Sequence, residues 1–191
     1  MKRNKTILRL PFDGSWFVVW GGDTKKLNYH SKNQSQKYAF DFLIINKKKN
    51  THRGKGKKNS DYYCFGKKIL APASGIIIEA VDGIKDNKIG STNKSLATGN
   101  LVVIRHSKNE ISVLAHLKQG SVKVKSGDKV KTGQVLGLCG NSGNSSEPHL
   151  HYHLQDNEIF QDAKGIKCYF KALNKKNYSP IKGNIVSNKR G

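Results

Sequence analysis

Three histidines stand at alternate positions in the segment 148–153, namely His149, His151 and His153. Side chains of a β-strand alternate between its two faces, so in a strand all three rings would project from one face. Imidazole is a frequent metal ligand, zinc included, and it titrates near neutral pH. One ring could therefore hold a metal ion while its neighbour moves protons. The alternative is a surface histidine cluster without a metal.

One acidic residue lies inside a strongly β-prone apolar segment, residues 38–45. Asp41 stands there between Phe40 and Phe42. A carboxylate in such a strand is costly to bury unless a partner compensates its charge. Either a salt bridge or a metal ion would supply that compensation.

The composition favours one basic domain. The chain has 191 residues and a formal net charge of +22, with 36% hydrophobic and 8% aromatic residues. Such a charge favours an anionic partner, for example nucleic acid, anionic lipid or an acidic cell-wall polymer. Many of the positive charges are lysines mixed with asparagine, which a compositional bias of the source would also produce.

The three cysteines fit neither a disulfide framework nor a cysteine-type zinc site, and we expect them to be small buried residues: Cys64, Cys139 and Cys168. No apolar stretch approaches the length of a membrane helix. The basic N-terminus is interrupted by charged residues and a proline, so no signal peptide is visible.

The pattern of apolar residues predicts a mostly β fold of antiparallel sheets with few or no helices. Two strands joined by Ser107-Lys108-Asn109-Glu110 form a hairpin pattern. We expect one domain over residues 1–170, with a solvated basic loop at 46–60 and a basic, poorly ordered tail at 171–191. The segments expected to be extended are 7–20, 38–45, 69–83, 101–106, 111–117, 122–137, 135–139 and 149–154.

Several motifs, in this order and at these spacings, resemble the catalytic domain of lysostaphin/LytM-type zinc metallopeptidases, which have the duplicated hybrid motif fold. The resemblance covers about residues 20–160. The glycine-containing loop followed by the His-Leu-His strand is its most specific part. The motifs are Ala71-Pro72-Ala73-Ser74-Gly75, Leu114-Ala115-His116-Leu117, the turns at Gly127 and Gly133, Gly140-Asn141-Ser142-Gly143 and Pro148-His149-Leu150-His151-Tyr152.

The resemblance implies a zinc ion held by His151, Asp41 and a histidine near the start of the domain. In the usual form that histidine is closer to the aspartate than it is here. His30 is favoured because it precedes the aspartate strand, and His52, inside the basic loop, is the competing candidate. Two imidazoles and one carboxylate would leave an open fourth position, which is typical of a catalytic zinc.

The same resemblance implies that His116 and His149 are catalytic. One would accept a proton from the attacking water, and the other would stabilise the tetrahedral intermediate or protonate the leaving amine. Their division of labour stays open. The family usually has an acid or amide where His153 stands, so His153 is expected outside the ligand set, either beside it or exposed. His106 is expected to be structural.

The resemblance further implies a zinc-dependent endopeptidase that hydrolyses peptide cross-links of bacterial peptidoglycan. Anionic cell-wall polymers are a further expected partner, without specific nucleic-acid binding. We expect a monomer in the periplasm or at the cell wall. The bond that is cleaved stays open.

Three other classes of function fit parts of the sequence. A catalytically inactive wall-binding or amidase-activating module would have the same fold, but such modules lose ligands and this chain keeps a full set. A nucleic-acid binder would suit the charge, yet the basic residues are spread over loops and tail. A biotinyl or lipoyl carrier would need a lysine flanked by methionines, and the only methionine is Met1.

Overall fold

The computed structural model describes residues 3–172 and 175–188. In this part of the chain there are two 3-10 turns, Tyr29–Lys32 and Asn59–Asp61, and no α-helix. No described helix is long and apolar enough to cross a membrane. The strands are β1 (Ser15–Trp20), β2 (Phe40–Leu43), β3 (Lys68–Leu70), β4 (Gly75–Val81), β5 (Asn100–Ser107), β6 (Glu110–Leu117), β7 (Lys129–Val130), β8 (Val135–Leu138), β9 (Leu150–Gln155), β10 (Gly165–Ile166), β11 (Phe170–Ala172), β12 (Lys175–Tyr178) and β13 (Ile185–Ser187).

One large antiparallel sheet carries most of these strands. Its order is β13-β1-β2-β9-β6-β5-β4-β7, with β10 pairing to β9. Two small sheets, β3-β8 and β11-β12, contain the remaining strands. The mostly β, antiparallel fold expected from the sequence is therefore confirmed. The centre of the large sheet is formed by β2, β9 and β6, which are strands far apart in the chain.

The two faces of this central region bury different sets of side chains. Phe42, Leu114 and Tyr152 lie in the larger hydrophobic cluster on one face. Val113 and Ala115 alternate with Leu114 along β6 and lie in a smaller cluster on the opposite face. The larger cluster anchors the sheet, and the other face is left for the polar residues of the strands.

Most of the predicted strands are present, with two differences. The hairpin predicted at 101–117 is β5-β6, and the segments 38–45 and 149–154 contain β2 and β9. The segment 69–83 divides into β3 and β4, because the backbone of Ala71 bonds to Gln134 instead of continuing a strand. In the alternating segment 122–137 the predicted turns at Gly127 and Gly133 are present, with positive φ angles of 90° and 81°, but its extended parts are limited to β7 and the start of β8.

The prediction of a poorly ordered tail over residues 171–191 is wrong for residues 185–188, which pack against the N-terminal part of the chain. β13 pairs with β1, with Trp16 opposite Val186, and Val186 is only 4% exposed. The side chain of Asn188 then exchanges hydrogen bonds with the backbone of Leu10, at 3.1 and 3.0 Å. The lack of acidic residues in the tail suggested exposure. Two apolar residues, Ile185 and Val186, are nevertheless enough to add a short strand to the open edge of β1. Residues 173, 174 and 189–191 lie outside the described part.

Candidate metal centre and catalytic groove

Asp41 and His151 are directly opposite each other on the adjacent strands β2 and β9. Asp41 Oδ1 lies 3.0 Å from His151 Nδ1. Because Phe40 and Phe42 point into the larger core, alternation turns Asp41 to the other face of the sheet. Both side chains of the pair are nearly inaccessible, at 3% and 4% exposure. The lone acid of the apolar strand thus faces a buried imidazole.

His30 reaches the same carboxylate from a loop. It lies in the 3-10 turn Tyr29–Lys32, and its Nε2 is 2.9 Å from Asp41 Oδ2. Asn28 caps this turn by accepting a hydrogen bond from the backbone N–H of His30. The amide of Asn28 also donates to the carbonyls of Gly22 and Ala39. Asn28 is fully buried, so it fixes the loop that carries His30 against the start of β2.

His30, Asp41 and His151 form a group suited to a metal ion. One donor atom from each lies within 4.8 Å of the others. Zinc–ligand bonds of ~2.0–2.1 Å in a tetrahedron place neighbouring donor atoms about 3.3 Å apart, close to the contacts seen here. Burial alone would raise the pKa of Asp41, but the neighbouring imidazoles of His30, His149 and His151 hold it well below its usual range. The carboxylate is therefore ionised and available as a ligand.

His116 reaches the site through an unusual backbone conformation. Alternation along β6 would direct its ring to the side of Leu114, into the larger core. Its φ is instead +63°, in the left-handed region that non-glycine residues rarely adopt. The ring lies 5.8 Å from that of His151, and its Nδ1–H donates to the carbonyl of Ser142 at 2.9 Å. Strain of this kind, held by surrounding structure, is common at functional sites.

His149 lies just before β9, and its ring centre is 4.8 Å from that of His116. Its Nδ1–H donates to the carbonyl of Glu147 at 2.9 Å, with the hydroxyl of Ser145 at 3.2 Å. Its Nε2 is 3.8 Å from Asp41 Oδ1. In His116 and in His149 a backbone carbonyl accepts from Nδ1 and so fixes the proton there. The neutral form of each ring therefore has an unprotonated Nε2.

The pKa of His116 is held well below its usual value. Burial is the largest cause, and the neighbouring His149 and His151 add to it, while Asp41 and the carbonyl of Ser142 act in the opposite direction. Burial, followed by the charge of His151, similarly lowers the pKa of His153 to about 3. Both rings are therefore neutral at physiological pH.

A groove of about 300 Å³ opens over these residues. The end of the 3-10 turn borders it with Lys32 and the adjoining Asn33, and the loops before β5 and β9 border it with Thr98 and Asn144. Tyr29 also lines the groove. Burial raises the pKa of Tyr29, and the charge of Asp41 and a hydrogen bond to it act in the same direction, so the phenol stays neutral and can donate to the carboxylate.

The remaining histidines take different positions. His153 lies beside the site, with its Nδ1 3.0 Å from Nε2 of His151. His52 packs against Tyr62 and lies outside the group around Asp41. His106 bonds through its two nitrogens to the carbonyl of Ser74 and the hydroxyl of Ser112, in a structural position.

The sequence interpretation missed several residues that organise the site. Asn28, Ser142 and Gln155 are buried polar residues whose hydrogen bonds hold the histidines, and only their spatial contacts single them out. The cysteines are free and buried, as expected. The thiol of Cys64 donates to the carbonyl of Pro148, next to His149.

Comparison with known proteins gives the family. Residues 56–163 match the profile of peptidase family M23, which is more than half of the chain. The chain belongs to this family. The matched segment contains His116, His149 and His151 and begins after His30 and Asp41.

Two relatives are peptidoglycan DD-endopeptidases of Vibrio cholerae serotype O1. The chain is 30% identical to ShyC over 166 residues, covering 81% of this chain and 35% of that protein. It is 41% identical to ShyA over 146 residues, covering 76% of this chain and 26% of that protein. The chain thus spans only about a third or less of the length of these relatives.

The fold likeness extends to solved structures. The crystal structure of a zinc containing peptidase from Vibrio cholerae matches with a TM-score of 0.50 and 20% sequence identity. The match covers 78% of this chain and 36% of that one. At this level of identity the likeness supports the fold alone.

Proposed function

We propose that this chain is a zinc-dependent endopeptidase that hydrolyses peptide cross-links of bacterial peptidoglycan. The observation that carries the proposal is the clustering of five side chains from separate parts of the chain on one face of the sheet. They are His30, Asp41, His116, His149 and His151. The family and the names of the relatives ShyC and ShyA support the reaction and the substrate class.

His30, Asp41 and His151 would hold the zinc ion. Their atoms that face each other are ring nitrogens and carboxylate oxygens, the donor set of many catalytic zinc sites. When bound there, zinc supplies Lewis acidity that polarises the scissile carbonyl and makes water more acidic.

His116 and His149 would carry the protons of the reaction. The carbonyls of Ser142 and Glu147 orient the two rings and keep their Nδ1 protonated. Each neutral ring can therefore accept a proton at Nε2, which is the nitrogen that general base catalysis requires. One ring would take a proton from the attacking water, and the other would hold a proton for the leaving amine. Their 4.8 Å separation lets both reach one scissile bond.

The groove suits an extended peptide. It is open between two loops and combines apolar surface with polar side chains, including Asn33, Thr98 and Asn144. In a groove of this kind a few polar groups fix the orientation of a bound peptide and supply specificity. The net charge of +22 would attract anionic polymers of the cell wall. A substrate of this class would place the enzyme in the periplasm or outside the cell, and we expect it to act there as a monomer.

The second candidate function is an inactive wall-binding or amidase-activating module of the same fold. The full set of histidines around Asp41 favours the enzyme, because a binding module has no need of a strained His116 beside a buried carboxylate.

The test compares zinc content and hydrolysis of purified peptidoglycan in the wild type and in Asp41→Asn. We expect one zinc per chain and release of muropeptides by the wild type, with both lost in the variant. Asp162→Asn, an exposed acid replaced by the same isosteric amide, is the matched control and should change neither. Zinc-free wild-type protein that binds peptidoglycan without cleaving it would establish the inactive module instead.

A further inference from the structure

A chain of hydrogen bonds leads from His151 along the same face of β9. Nε2 of His151 is 3.0 Å from Nδ1 of His153, and Nε2 of His153 is 2.8 Å from Oε1 of Gln155. The amide nitrogen of Gln155 donates to the backbone carbonyl of Asn157 at 2.8 Å. His153 and Gln155 are 1% and 0% exposed. The proposed mechanism uses neither of them.

The direction of these hydrogen bonds follows from their last member. The carbonyl of Asn157 can only accept, so Gln155 must present its NH₂ group there and its oxygen to His153. An amide oxygen can only accept as well, so the proton of neutral His153 lies on Nε2. Nδ1 of His153 is then an acceptor, and His151 must donate to it from Nε2.

His153 is neutral because of where it lies. Its ring is buried between His151, Gln155 and the edge of Phe160, whose ring centre is 6.0 Å away. None of these three contacts is a carboxylate. A charged imidazole at this place would be a buried charge without a counter-ion in contact, which costs several kcal/mol.

With its proton on Nε2, neutral His151 has a bare lone pair on Nδ1. That lone pair points at Asp41 Oδ1, which is 3.0 Å away and also carries lone pairs. Two acceptors at this distance repel each other unless a cation or a proton lies between them. The chain of hydrogen bonds therefore directs the Nδ1 lone pair toward the place where a metal ion satisfies both groups.

We propose that His153 and Gln155 are positioning residues that lock His151 in the Nε2–H tautomer and so make its Nδ1 the metal-binding atom. This inference rests on the metal centre proposed above. A hydrogen bond to the second nitrogen of a ligating imidazole fixes the orientation of the ring and increases its basicity. Here the partner in that hydrogen bond is His153, which is itself fixed by Gln155, and Gln155 is fixed by a backbone carbonyl.

The inference is tested by zinc affinity, measured by competition with a chromophoric chelator. Gln155→Leu removes the acceptor for His153 and touches no proposed ligand. His153→Leu removes the acceptor for His151. Loss of such a partner typically weakens metal binding about 10–100-fold, and we expect both variants to show this. His153→Gln, whose amide oxygen can accept from His151, should stay within about 3-fold of the wild type.

Ser112→Ala is the structural control. Ser112 is fully buried on β6 and bonds to Tyr152 and His106 on the opposite face of the same sheet. It should lower stability without weakening zinc binding. A loss of affinity in Ser112→Ala equal to that in Gln155→Leu would reduce the role of Gln155 to packing and overturn the proposal.

A second readout follows the tautomer itself. In zinc-loaded wild type, the Nε2–H protons of His151 and His153 should give slowly exchanging signals in ¹H–¹⁵N spectra. The His151 signal should exchange faster in Gln155→Leu. Unchanged affinity and unchanged exchange in both leucine variants would overturn the inference alone. A wild type that binds no zinc would overturn the metal centre instead, and neither result depends on which peptide is cleaved.

Discussion

His30 and His151 contact opposite oxygens of a single carboxylate, that of Asp41. Nε2 of His30 lies 2.9 Å from Oδ2, and Nδ1 of His151 lies 3.0 Å from Oδ1. One ring comes from a loop and the other from the centre of the sheet. Asp41 is therefore the element that joins the two histidines, and the following predictions depend on this arrangement.

Removing the metal should destabilise the protein reversibly. A ligand that binds only the folded state at 100 times its dissociation constant adds ~2.7 kcal/mol of stability. Excess chelator should therefore lower the thermal unfolding midpoint of the wild type, and added zinc should restore it. Asp41→Asn should show the low midpoint under both conditions. A zinc-dependent shift that persists in Asp41→Asn would mean that the metal binds elsewhere.

His116→Ala and His149→Ala should retain zinc and lose catalysis. General acid–base groups contribute typically 10²–10⁴-fold to rates, so we expect a fall of that order in kcat on a muropeptide substrate. The double variant should be little worse than either single one if the two rings act as a unit. Loss of zinc from either single variant would instead make that histidine a ligand.

Asn28→Ala should weaken both the fold and the metal centre. It removes the side chain that caps the turn of His30 and ties it to Ala39, and it leaves buried backbone groups unpaired. Each unpaired group costs about 1–3 kcal/mol, and zinc affinity should fall with the loosened His30. Unfolding in denaturant and chelator competition measure the two effects.

Asn46→Ala is the matched control for Asn28. Asn46 makes the same kind of side-chain contact to backbone N–H groups, those of Lys48 and Asn50, in the basic loop. It should leave zinc affinity unchanged. Equal losses of affinity in the two variants would remove the special role assigned to Asn28.

Acid should destabilise the metal-free protein partly through His106. Burial is the main cause that lowers the pKa of His106, although the carbonyl of Ser74 and the charge of Glu110 oppose it. A histidine whose pKa is lowered by folding binds protons more readily in the unfolded state. Stability is therefore greatest above about pH 6.5, the unfolded value, and declines as pH falls toward the folded value.

Replacing His106 with glutamine should make this decline shallower. Urea unfolding of His106→Gln and of the wild type, at pH 7.5 and pH 5.0 and with chelator, gives the free energy of unfolding at each pH. The loss between the two pH values is then compared between the two proteins. Chelator removes the contribution of zinc release. An identical loss of stability in the two proteins would show that the proton affinity of His106 does not change on folding.

The sequence predicted the parts of the site that depend on local periodicity. Alternation placed His149, His151 and His153 on one face, and the lone acid in an apolar strand marked Asp41 as a residue needing a partner. The hairpin of β5 and β6 was also readable from its apolar runs and polar turn.

The rest depends on contacts between distant parts of the chain. His116 reaches the site only through a φ of +63°, which its own strand pattern does not indicate. The choice of His30 over His52 depends on how a loop is fixed by Asn28, and the role of Gln155 depends on a carbonyl two residues away. The pairing of β13 with β1 joins the two ends of the chain and has no local signal.

The pairing of β13 with β1 predicts how a C-terminally truncated chain would behave. β1 (Ser15–Trp20) is rich in apolar, β-prone residues, and β13 (Ile185–Ser187) occupies its outer side. Removal of residues 171–191 would uncover a row of backbone N–H and C=O groups along β1. Exposed apolar edges of this kind recruit strands from other molecules. A truncated protein should therefore aggregate, although every residue of the metal centre would still be present.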